Sequence, residues 1–389
     1  MNELIVRIAA RGDGVTASGR HVAFGVPGDA LLDDGALAPG PHHQTPPCRH
    51  FPECGGCQLQ HADDEAYRGY LVSRVQTALA QHDLDANIRE PYLSPPNSRR
   101  RATLRAIKSG ASVALGFNAE KSHRIVDMRE CHILRPELFA LVAPLRQLLA
   151  LMLRPRRTAE VQLSLVDQGP DVLLTGVEPE GIAAIEALTS FAASNGLARL
   201  SIDQGLGSET FYEPQPATVT LSGIPVTFPS GSFLQATQDG EAALVEAVGQ
   251  SVEGARRVAD LFAGLGTFAL SATAAYAAEA SRDAAAALKR AAPAMAVEHR
   301  DLYRRPLATD ELTPFEAVIL DPPRSGAAEQ VSQLASSAVS RIAYVSCNPA
   351  TFARDARTLV DGGYKLEWLR PIGQFRWSTH VELAAKFSR

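Results

Sequence analysis

A cysteine lies at the end of a predicted strand, at the point where the chain must turn. In the sequence VSCNP, Cys347 follows the apolar run 342–345 and precedes Asn348 and Pro349. A reactive thiolate needs partial exposure, and the tip of a strand provides it. We therefore expect Cys347 to act as a nucleophile, the alternative being a small buried apolar residue.

An acidic residue ends another predicted strand, in the sequence VILDPPR. Asp321 is followed by Pro322 and Pro323. Prolines lack an N–H group and fix the backbone, so they end the strand and hold the loop. Doubly wound sheets bind ligands at the carboxyl ends of their strands. The sequence therefore predicts that Asp321 and Cys347 face one crevice.

The sequence ADLFAGLGTFA contains a loop that can approach a ligand closely. Gly264 and Gly266 allow a sharp turn before a helix whose first N–H groups are free. The pattern fits a dinucleotide fingerprint, but Asp260 precedes the glycines, and Glu279 follows them sooner than the ~20 residues that dinucleotide folds favour. Both features favour S-adenosylmethionine, whose ammonium and ribose hydroxyls need acceptors. A dinucleotide site and a purely structural turn are the alternatives.

Four of the five cysteines form a set that suits a metal centre. Cys48, Cys54 and Cys57 have the spacing C-x5-C-x2-C, and Cys131 is a distant fourth. In a reducing compartment, clustered cysteines indicate metal binding or catalysis rather than disulfides. Four thiolates suit either tetrahedral zinc or a cubic iron–sulfur cluster, and the spacing leaves both open. Unrelated free thiols are the remaining alternative.

The carboxyl-terminal part of the chain alternates short apolar runs with helical stretches. Seven such runs follow residue 242, and the last two are joined without an obvious helix. This alternation predicts a parallel, doubly wound α/β sheet with a final antiparallel strand. Before it, residues 99–230 carry mixed strand and helix signals, and a helix is predicted over 63–82. Residues 1–40 predict a small β-unit with tight turns, followed by a proline-rich linker.

The composition limits how the protein can meet a polynucleotide. The chain has 389 residues, a net charge of -5 and a pI of about 6.1. Binding through overall charge alone usually requires a basic protein, so contact must come from local patches. Residues 99–101 with Arg105 and Lys108, and residues 154–157, are candidates, with solvated faces as the alternative. Because the sequence shows neither a signal peptide nor an apolar stretch of ~20 residues, we predict a soluble, cytoplasmic protein without a membrane partner.

Taken together, these motifs resemble those of the RNA 5-methyluridine methyltransferases, closest to the iron–sulfur branch that acts on 23S ribosomal RNA. The resemblance covers the chain from Cys48 to its end. It rests on the cysteine set and on SFLQ, DLFAGLGTF, DPPR, SCNP and HVE. It implies an RNA-binding monomer with a carboxyl-terminal, Rossmann-like, seven-stranded class I methyltransferase domain. The resemblance implies three domains. They are a TRAM-like β-unit and linker over residues 1–47, an α+β iron–sulfur domain over 48–235 and the methyltransferase domain over 236–389.

The same resemblance implies roles for individual residues. The cysteine of SCNP is the nucleophile in that family, here Cys347, and the glutamate of HVE is the base, here Glu382. The implied [4Fe-4S] ligands are Cys48, Cys54, Cys57 and Cys131. Together with the glycine loop, the residues expected to line the S-adenosylmethionine and base pocket are Gln235, Phe262, Gly264, Thr267, Glu279, Asp301 and Asp321.

The chain departs from the family pattern in two places, and each departure predicts a shortened element. About 40 residues precede the linker, which predicts a truncated form of the TRAM barrel that usually opens these chains. The interval from Phe262 to Glu279 is shorter than is usual in the family, which predicts a short helix between them.

The implied chemistry is covalent catalysis on a flipped uridine. A thiolate adds to C6 of uracil, C5 then takes the methyl group, and a base removes the C5 proton. Asp321 is expected to contact the base edge, and Gln235 to bond either a uracil carbonyl or the methionine part of the cofactor. Phe262 and the cluster region are expected to help hold the RNA. The alternatives are a transfer RNA substrate, an exocyclic-nitrogen methyltransferase, a dinucleotide-dependent iron–sulfur oxidoreductase and a zinc RNA-binding protein. Arg324 stands where the exocyclic class has an aromatic residue.

Overall fold

The chain begins with a small antiparallel sheet, in agreement with the predicted β-unit. A computed structural model describes residues 2–389. The strand order in this sheet is β3-β2-β1-β4-β5. Most of its strands have only two or three residues, because glycine turns interrupt the chain at short intervals. The strands are β1 (Glu3–Ile8), β2 (Gly14–Thr16), β3 (His21–Val22), β4 (Ala30–Leu31) and β5 (Leu37–Ala38).

The predicted helix over 63–82 is confirmed as α1 (Asp64–Ala80). Asp63 caps it, since its carboxylate accepts the backbone N–H of Ala66 at 2.8 Å. The cysteine segment before it, residues 48–62, has no regular helix or strand. The buried side of α1, which includes Tyr67 and Leu71, packs into the core of the carboxyl-terminal sheet. A two-residue strand, β6 (Tyr92–Leu93), follows it.

A six-stranded sheet forms the central part, with the order β12-β11-β10-β9-β7-β8. Its pairs are antiparallel except β10 with β11. Helices cover one face, while Arg101, Thr103 and Arg105 of β7 point to the other. The elements are β7 (Arg101–Ser109), β8 (Ser112–Gly116), α2 (Pro136–Phe139), α3 (Val142–Met152), β9 (Thr158–Val166), β10 (Gly169–Thr175), α4 (Ile182–Ser194), β11 (Arg199–Asp203) and β12 (Ser208–Tyr212).

A separate hairpin links the central sheet to the last one. It consists of β13 (Thr218–Leu221) and β14 (Ile224–Thr227). Its apolar residues, among them Val219 and Val226, belong to the same core as the helices of the carboxyl-terminal sheet. Both this hairpin and α1 therefore pack on that sheet, although they precede residue 236.

All seven predicted carboxyl-terminal runs form strands of one sheet, whose order is β17-β16-β15-β18-β19-β21-β20-β6. The elements are α5 (Gln238–Val252), β15 (Val258–Leu261), α6 (Thr267–Ser271), β16 (Tyr276–Glu279), α7 (Arg282–Ala291), β17 (Ala296–His299), α8 (Thr309–Leu312), β18 (Ala317–Leu320), α9 (Ala328–Ala335), β19 (Arg341–Ser346), α10 (Pro349–Asp361), β20 (Lys365–Gly373) and β21 (Glu382–Ser388).

The expected parallel sheet with a final antiparallel strand is confirmed. Strands β15 to β19 pair in parallel, and β21 runs antiparallel to both β19 and β20. The predicted number of strands is wrong, because β6 pairs with the edge of β20 and makes the sheet eight-stranded. A strand of two residues is too short to show an alternating pattern in the sequence.

Burial follows the topology of the sheet. Every residue of β15 and of β18 is buried, as expected for inner parallel strands covered by helices on both faces. The short helix expected between Phe262 and Glu279 is α6, which has five residues. Within residues 2–389, no helix combines the length and the apolar character that crossing a membrane would require.

Candidate active site

One cavity at the carboxyl edge of the last sheet collects every predicted catalytic and cofactor residue. Its volume is about 660 Å³. Most of these residues lie at or just after the ends of parallel strands, where doubly wound sheets bind ligands. The nine residues are Gln235, Phe262, Gly264, Thr267, Glu279, Asp301, Asp321, Cys347 and Glu382.

The glycine loop forms one wall of this cavity between β15 and α6. Gly266 has a φ of +94°, and a Cβ atom there would lie 2.4 Å from Cδ1 of Leu288. Gly264 also has a positive φ, and its N–H donates to the Glu279 carboxylate at 2.8 Å. The other oxygen of Glu279 accepts the N–H of Ser281 at 2.6 Å. The loop therefore holds Glu279 firmly, with remaining lone pairs free for a ligand.

Cys347 lies directly after β19, beside the start of β21. Ser346 pairs with Leu383, so continuing the antiparallel register by one residue places Cys347 opposite Glu382. The thiol is partly exposed to the cavity. Burial, and then the negative charges of Glu382 and Asp321, raise the pKa of Cys347 to about 11. The thiol therefore keeps its proton at neutral pH until a nearby group takes it or a cation enters.

Two carboxyl groups share the floor of the cavity with this thiol. Burial raises the pKa of Glu382 to about 7, although the Gln374 amide and the charge of Arg101 oppose the shift. Burial, followed by the charges of Glu382 and Asp260, raises the pKa of Asp321 well above its ordinary value. Perturbed carboxyl groups that differ in their environment are typical of sites where one acts as acid and another as base.

A chain of side-chain amides ends on these carboxyl groups. Gln374 Oε1 accepts the backbone N–H of Ala236 at 3.0 Å, and Gln374 Nε2 donates to Gln235 Oε1 at 2.9 Å. Gln235 Nε2 then faces Asp321 Oδ2 at 3.4 Å. Gln374 is a site residue that the sequence motifs did not predict. Its position eight residues before Glu382, in QFRWSTHVE, is the only signal that could have drawn attention to it.

An arginine and an aromatic ring stand together at the mouth of the cavity. The guanidinium carbon of Arg101 lies 4.4 Å from the ring centre of Phe233, whose side chain is 60% exposed. Burial lowers the pKa of Arg101 to about 10. An exposed ring held by a cation offers a flat surface on which a base can stack. Of the residues in the predicted basic patches, Arg101 thus lines the site.

The four predicted metal ligands line a second, smaller cavity. These are Cys48, Cys54, Cys57 and Cys131. Burial is the largest cause that raises the pKa of each thiol, and that of Cys57 reaches about 12. Within residues 2–389, no group of three or more His, Cys, Asp or Glu side chains has the arrangement of a metal-ion site. The four thiols share a cavity without converging on one ion.

Each sulfur in this second cavity has an N–H donor directed at it. The sulfurs of Cys48, Cys54 and Cys131 accept backbone N–H groups from the residues two positions further along the chain. The amide of Gln60 donates to Cys57, and its oxygen accepts the N–H of Cys48 at 3.2 Å. Donors of this kind favour the thiolate form, which is the form that binds metals.

The fold and the main cavity define a class I methyltransferase. The carboxyl-terminal residues 292–389 match the family model described as tRNA (Uracil-5-)-methyltransferase. A Zymomonas mobilis protein named as an RNA methyltransferase is 52% identical over 393 residues, covering 99% of each chain. A Caulobacter vibrioides RNA methyltransferase is 40% identical, covering 100% of each chain. The protein belongs to the RNA (uracil-5-)-methyltransferase family.

Two further comparisons involve proteins with named substrates. A Pectobacterium atrosepticum protein, named as 23S rRNA (uracil(1939)-C(5))-methyltransferase RlmD, is 29% identical over 375 residues. The match covers 90% of this chain and 81% of that one. The crystal structure of a Pyrococcus abyssi tRNA (uracil-54, C5)-methyltransferase with S-adenosyl-L-homocysteine has a TM-score of 0.77 at 22% identity, covering 100% of this chain and 99% of that chain. This second likeness extends the agreement in fold to the whole chain.

Proposed function

We propose that the protein transfers a methyl group from S-adenosylmethionine to C5 of a uridine in RNA, through a covalent bond between Cys347 and C6 of the base. The observation that carries this proposal is the opening of Cys347, Glu382 and Asp321 into one cavity beside the glycine loop. A nucleophile, two carboxyl groups and a cofactor loop are the parts that this reaction requires.

S-adenosylmethionine supplies the methyl group bound to a positively charged sulfur. Glu279 would accept the ribose hydroxyls, because its carboxylate is fixed at the cavity wall by two backbone N–H groups. Asp301 lies at the next loop along the sheet edge and would contact the adenine side of the cofactor. Gly264 keeps its wall of the cavity open, since the space beside its Cα holds no neighbouring atom within 4 Å.

Cys347 forms and later breaks a bond to uracil C6. Its thiol must first lose its proton to solvent, to which it is partly exposed, because the thiolate is the nucleophile and Glu382 must stay unprotonated for the later step. Addition to C6 makes C5 electron-rich, and C5 then accepts the methyl group. Glu382 removes the C5 proton, the C5–C6 double bond forms again, and the sulfur leaves as a thiolate.

Asp321 and Gln235 would hold the edge of the uracil ring. Gln235 Nε2 points to the Asp321 carboxyl, so one donor and one carboxyl group face the same region. Burial favours the protonated form of Asp321, because it raises the pKa of that carboxyl. A neutral acid can donate to a uracil carbonyl oxygen, whose negative charge grows as C6 is attacked.

We propose 23S ribosomal RNA as the substrate, recognised by a monomer in the cytoplasm. The support is the similarity to a 23S ribosomal RNA enzyme over 90% of this chain. A transfer RNA substrate is the rival within the same chemistry, since the solved neighbour acts on transfer RNA. Mapping 5-methyluridine across all RNAs of a deletion strain decides between them. Loss of the modification from 23S ribosomal RNA alone supports the proposal, and loss from transfer RNA alone contradicts it.

We also propose that the four cysteines hold a [4Fe-4S] cluster. The support is their common cavity and the N–H donor directed at each sulfur. Anaerobic purification followed by iron and sulfide analysis tests this. Stoichiometric zinc without iron would contradict it.

The central experiment separates addition from elimination at the uracil ring. Glu382→Gln should form the bond between Cys347 and the methylated base but fail to break it. A radiolabelled RNA–protein adduct should therefore appear on a denaturing gel. Cys347→Ala is the matched control, because it lacks the attacking sulfur and should show no adduct. Absence of the adduct with Glu382→Gln, together with normal turnover of Cys347→Ala, would overturn the covalent mechanism.

A further inference from the structure

A buried glutamine, Gln374, lies between Gln235 and the strand that carries Glu382. Gln374 is 2% exposed and follows directly after β20. Its side chain reaches Ala236 and Gln235 through the two hydrogen bonds described above. Ile372 of β20 pairs with Glu382 of β21, so Gln374 and Glu382 lie diagonally opposite each other on one face, and the amide favours the charged form of Glu382. One amide therefore joins the segment that carries Gln235 to the segment that carries the expected base.

The direction of this amide is fixed by the backbone. The N–H group of Ala236 can only donate, so the atom of Gln374 that faces it must be the oxygen. One hydrogen of Gln374 Nε2 is then bonded to Gln235 Oε1, and the second hydrogen is left to reach the neighbouring Glu382 carboxyl. Because Gln235 Oε1 is an acceptor in this arrangement, Gln235 must turn its own NH₂ group to Asp321. A single backbone N–H thus sets the polarity of the whole chain.

We propose that Gln374 is a positioning residue that presents one amide hydrogen to Glu382, and so keeps this carboxylate oriented and unprotonated for removal of the C5 proton. The inference rests on the proposed function and adds a residue to it. A donor to a carboxylate stabilises the charged form, which is the form that acts as a base. Gln374 acts through Glu382 and need not touch the RNA or the cofactor.

Other groups around Glu382 contribute to its ionisation. The other charged and titratable groups that line the same cavity are Arg101, Glu279, Asp301, Tyr303, Asp321, Arg324, Cys347 and His380. Arg101 favours the carboxylate form of Glu382. The negative forms of Asp321 and Cys347 oppose it. Gln374 is uncharged, so replacing it with leucine removes a donor without changing the net charge of the site.

The test is the pH profile of single-turnover methylation by Gln374→Leu, a substitution of similar size. Loss of a donor should raise the pKa of Glu382 by on the order of one unit. The acidic limb of the profile should therefore move to higher pH. The rate should fall about tenfold on that limb, and it should recover in alkaline solution. The RNA–protein adduct should accumulate at neutral pH, because elimination is slowed while addition is not.

Gln330→Leu is the matched control for loss of a buried glutamine. Gln330 is 1% exposed and makes two hydrogen bonds with the backbone of Leu307, away from the cavity. Gln330→Leu should lower the thermal stability of the protein without shifting the pH profile of methylation. If Gln374→Leu does not fold, Gln374→Glu replaces it. Its side chain has the same shape, and as a carboxylate it repels Glu382, so the acidic limb should move further.

Two outcomes overturn the role of Gln374, and neither is confused with failure of the reaction itself. The role of Gln374 is overturned if the pH profile of Gln374→Leu is unshifted. It is also overturned if the methylation rate of this variant is reduced equally at every pH and no adduct accumulates. In both cases Glu382→Gln, measured in parallel, still traps the adduct if the proposed function is correct. If Glu382→Gln traps no adduct, the proposed function fails and takes this inference with it.

Discussion

Cys347 and Glu382 lie opposite each other at the adjoining ends of the antiparallel strands β19 and β21. The antiparallel last strand is what creates this relationship. A parallel strand would place its first residue at the far edge of the sheet, away from the thiol. The two residues are distant in sequence, yet the register between Ser346 and Leu383 brings them to one point. The reversal of one strand therefore brings the proposed base, Glu382, to the thiol.

Replacing the thiol should remove turnover and leave the cofactor site in place. We expect Cys347→Ala to lower the rate of methylation by a factor on the order of 10³ or more. The affinity for S-adenosylmethionine should stay unchanged, because the glycine loop lies on a different strand end. Single-turnover kinetics and calorimetric titration measure the two quantities. Turnover near that of the unaltered protein would show that the thiol does not attack the base.

Replacing the base should change how stability depends on pH. The pKa of Glu382 is raised to about 7 in the folded protein, from an ordinary value of 4.5. The folded state thus holds the Glu382 proton more tightly than the unfolded state. Protonation of Glu382 therefore stabilises the folded protein, and this stabilisation is fully present below about pH 4.5. It is lost as the pH rises through about 7, and it amounts to about 3 kcal/mol.

Glu382→Gln should therefore be more stable than the unaltered protein at pH 8, and the difference should narrow towards pH 5. Denaturant unfolding at several pH values measures this. Glu367→Gln is a suitable control, because Glu367 lies on the neighbouring strand β20 with its pKa lowered rather than raised, the first cause being its hydrogen bond with Lys365. A constant difference between Glu382→Gln and the unaltered protein at all pH values would contradict the prediction.

The sequence predicted the strand ends that carry chemistry because their signals are local. An apolar run followed by proline or glycine marks both the end of a strand and the start of a loop. Asp321, Cys347 and the glycine loop could each be recognised in this way. Their meeting in one cavity followed from the rule that ligands bind at the carboxyl edge of such sheets.

The residues that sequence reasoning missed depend on contacts between distant segments. Nothing in the sequence around Gln374 indicates its role, because its hydrogen-bond partners Ala236 and Gln235 belong to a distant segment of the chain. The pattern of α1 showed which side of the helix is buried, but it did not show that this side packs on the last sheet. Periodicity identifies a buried surface and leaves its partner open.

Gly266 of the glycine loop and Gly35 of the amino-terminal sheet should respond differently to substitution by alanine. Gly266→Ala should destabilise the protein by several kcal/mol, because the φ of +94° is strained for alanine and the new Cβ would overlap Leu288. Gly35→Ala is the control, since it has a φ of +84° and no neighbouring atom within 4 Å. Gly35→Ala should lower the free energy of unfolding by only about 1 kcal/mol. Chemical denaturation measures both values, and equal losses would contradict the steric argument.

Trp377 connects the four-cysteine cavity to the catalytic segment. Its ring packs with Cys57 and Ile133, and its carbonyl oxygen accepts the N–H groups of Gln58 and Leu59 at 2.8 and 2.9 Å. It lies five residues before Glu382. Binding of a cluster by the cysteines should therefore reduce the motion of this segment and quench the fluorescence of the Trp377 indole.

The chain contains two tryptophans, which allows a matched comparison. Trp368→Phe leaves Trp377 as the reporter. Trp377→Phe leaves Trp368, whose ring lies under the guanidinium of Arg89, 3.7 Å from the ring centre. Removing iron with a chelator should restore more emission in Trp368→Phe than in Trp377→Phe. Amide exchange of residues 378–382 should increase at the same time. Equal recovery in both variants would show that the metal does not lie beside Trp377, and unchanged exchange would separate the cluster from the segment that carries the base.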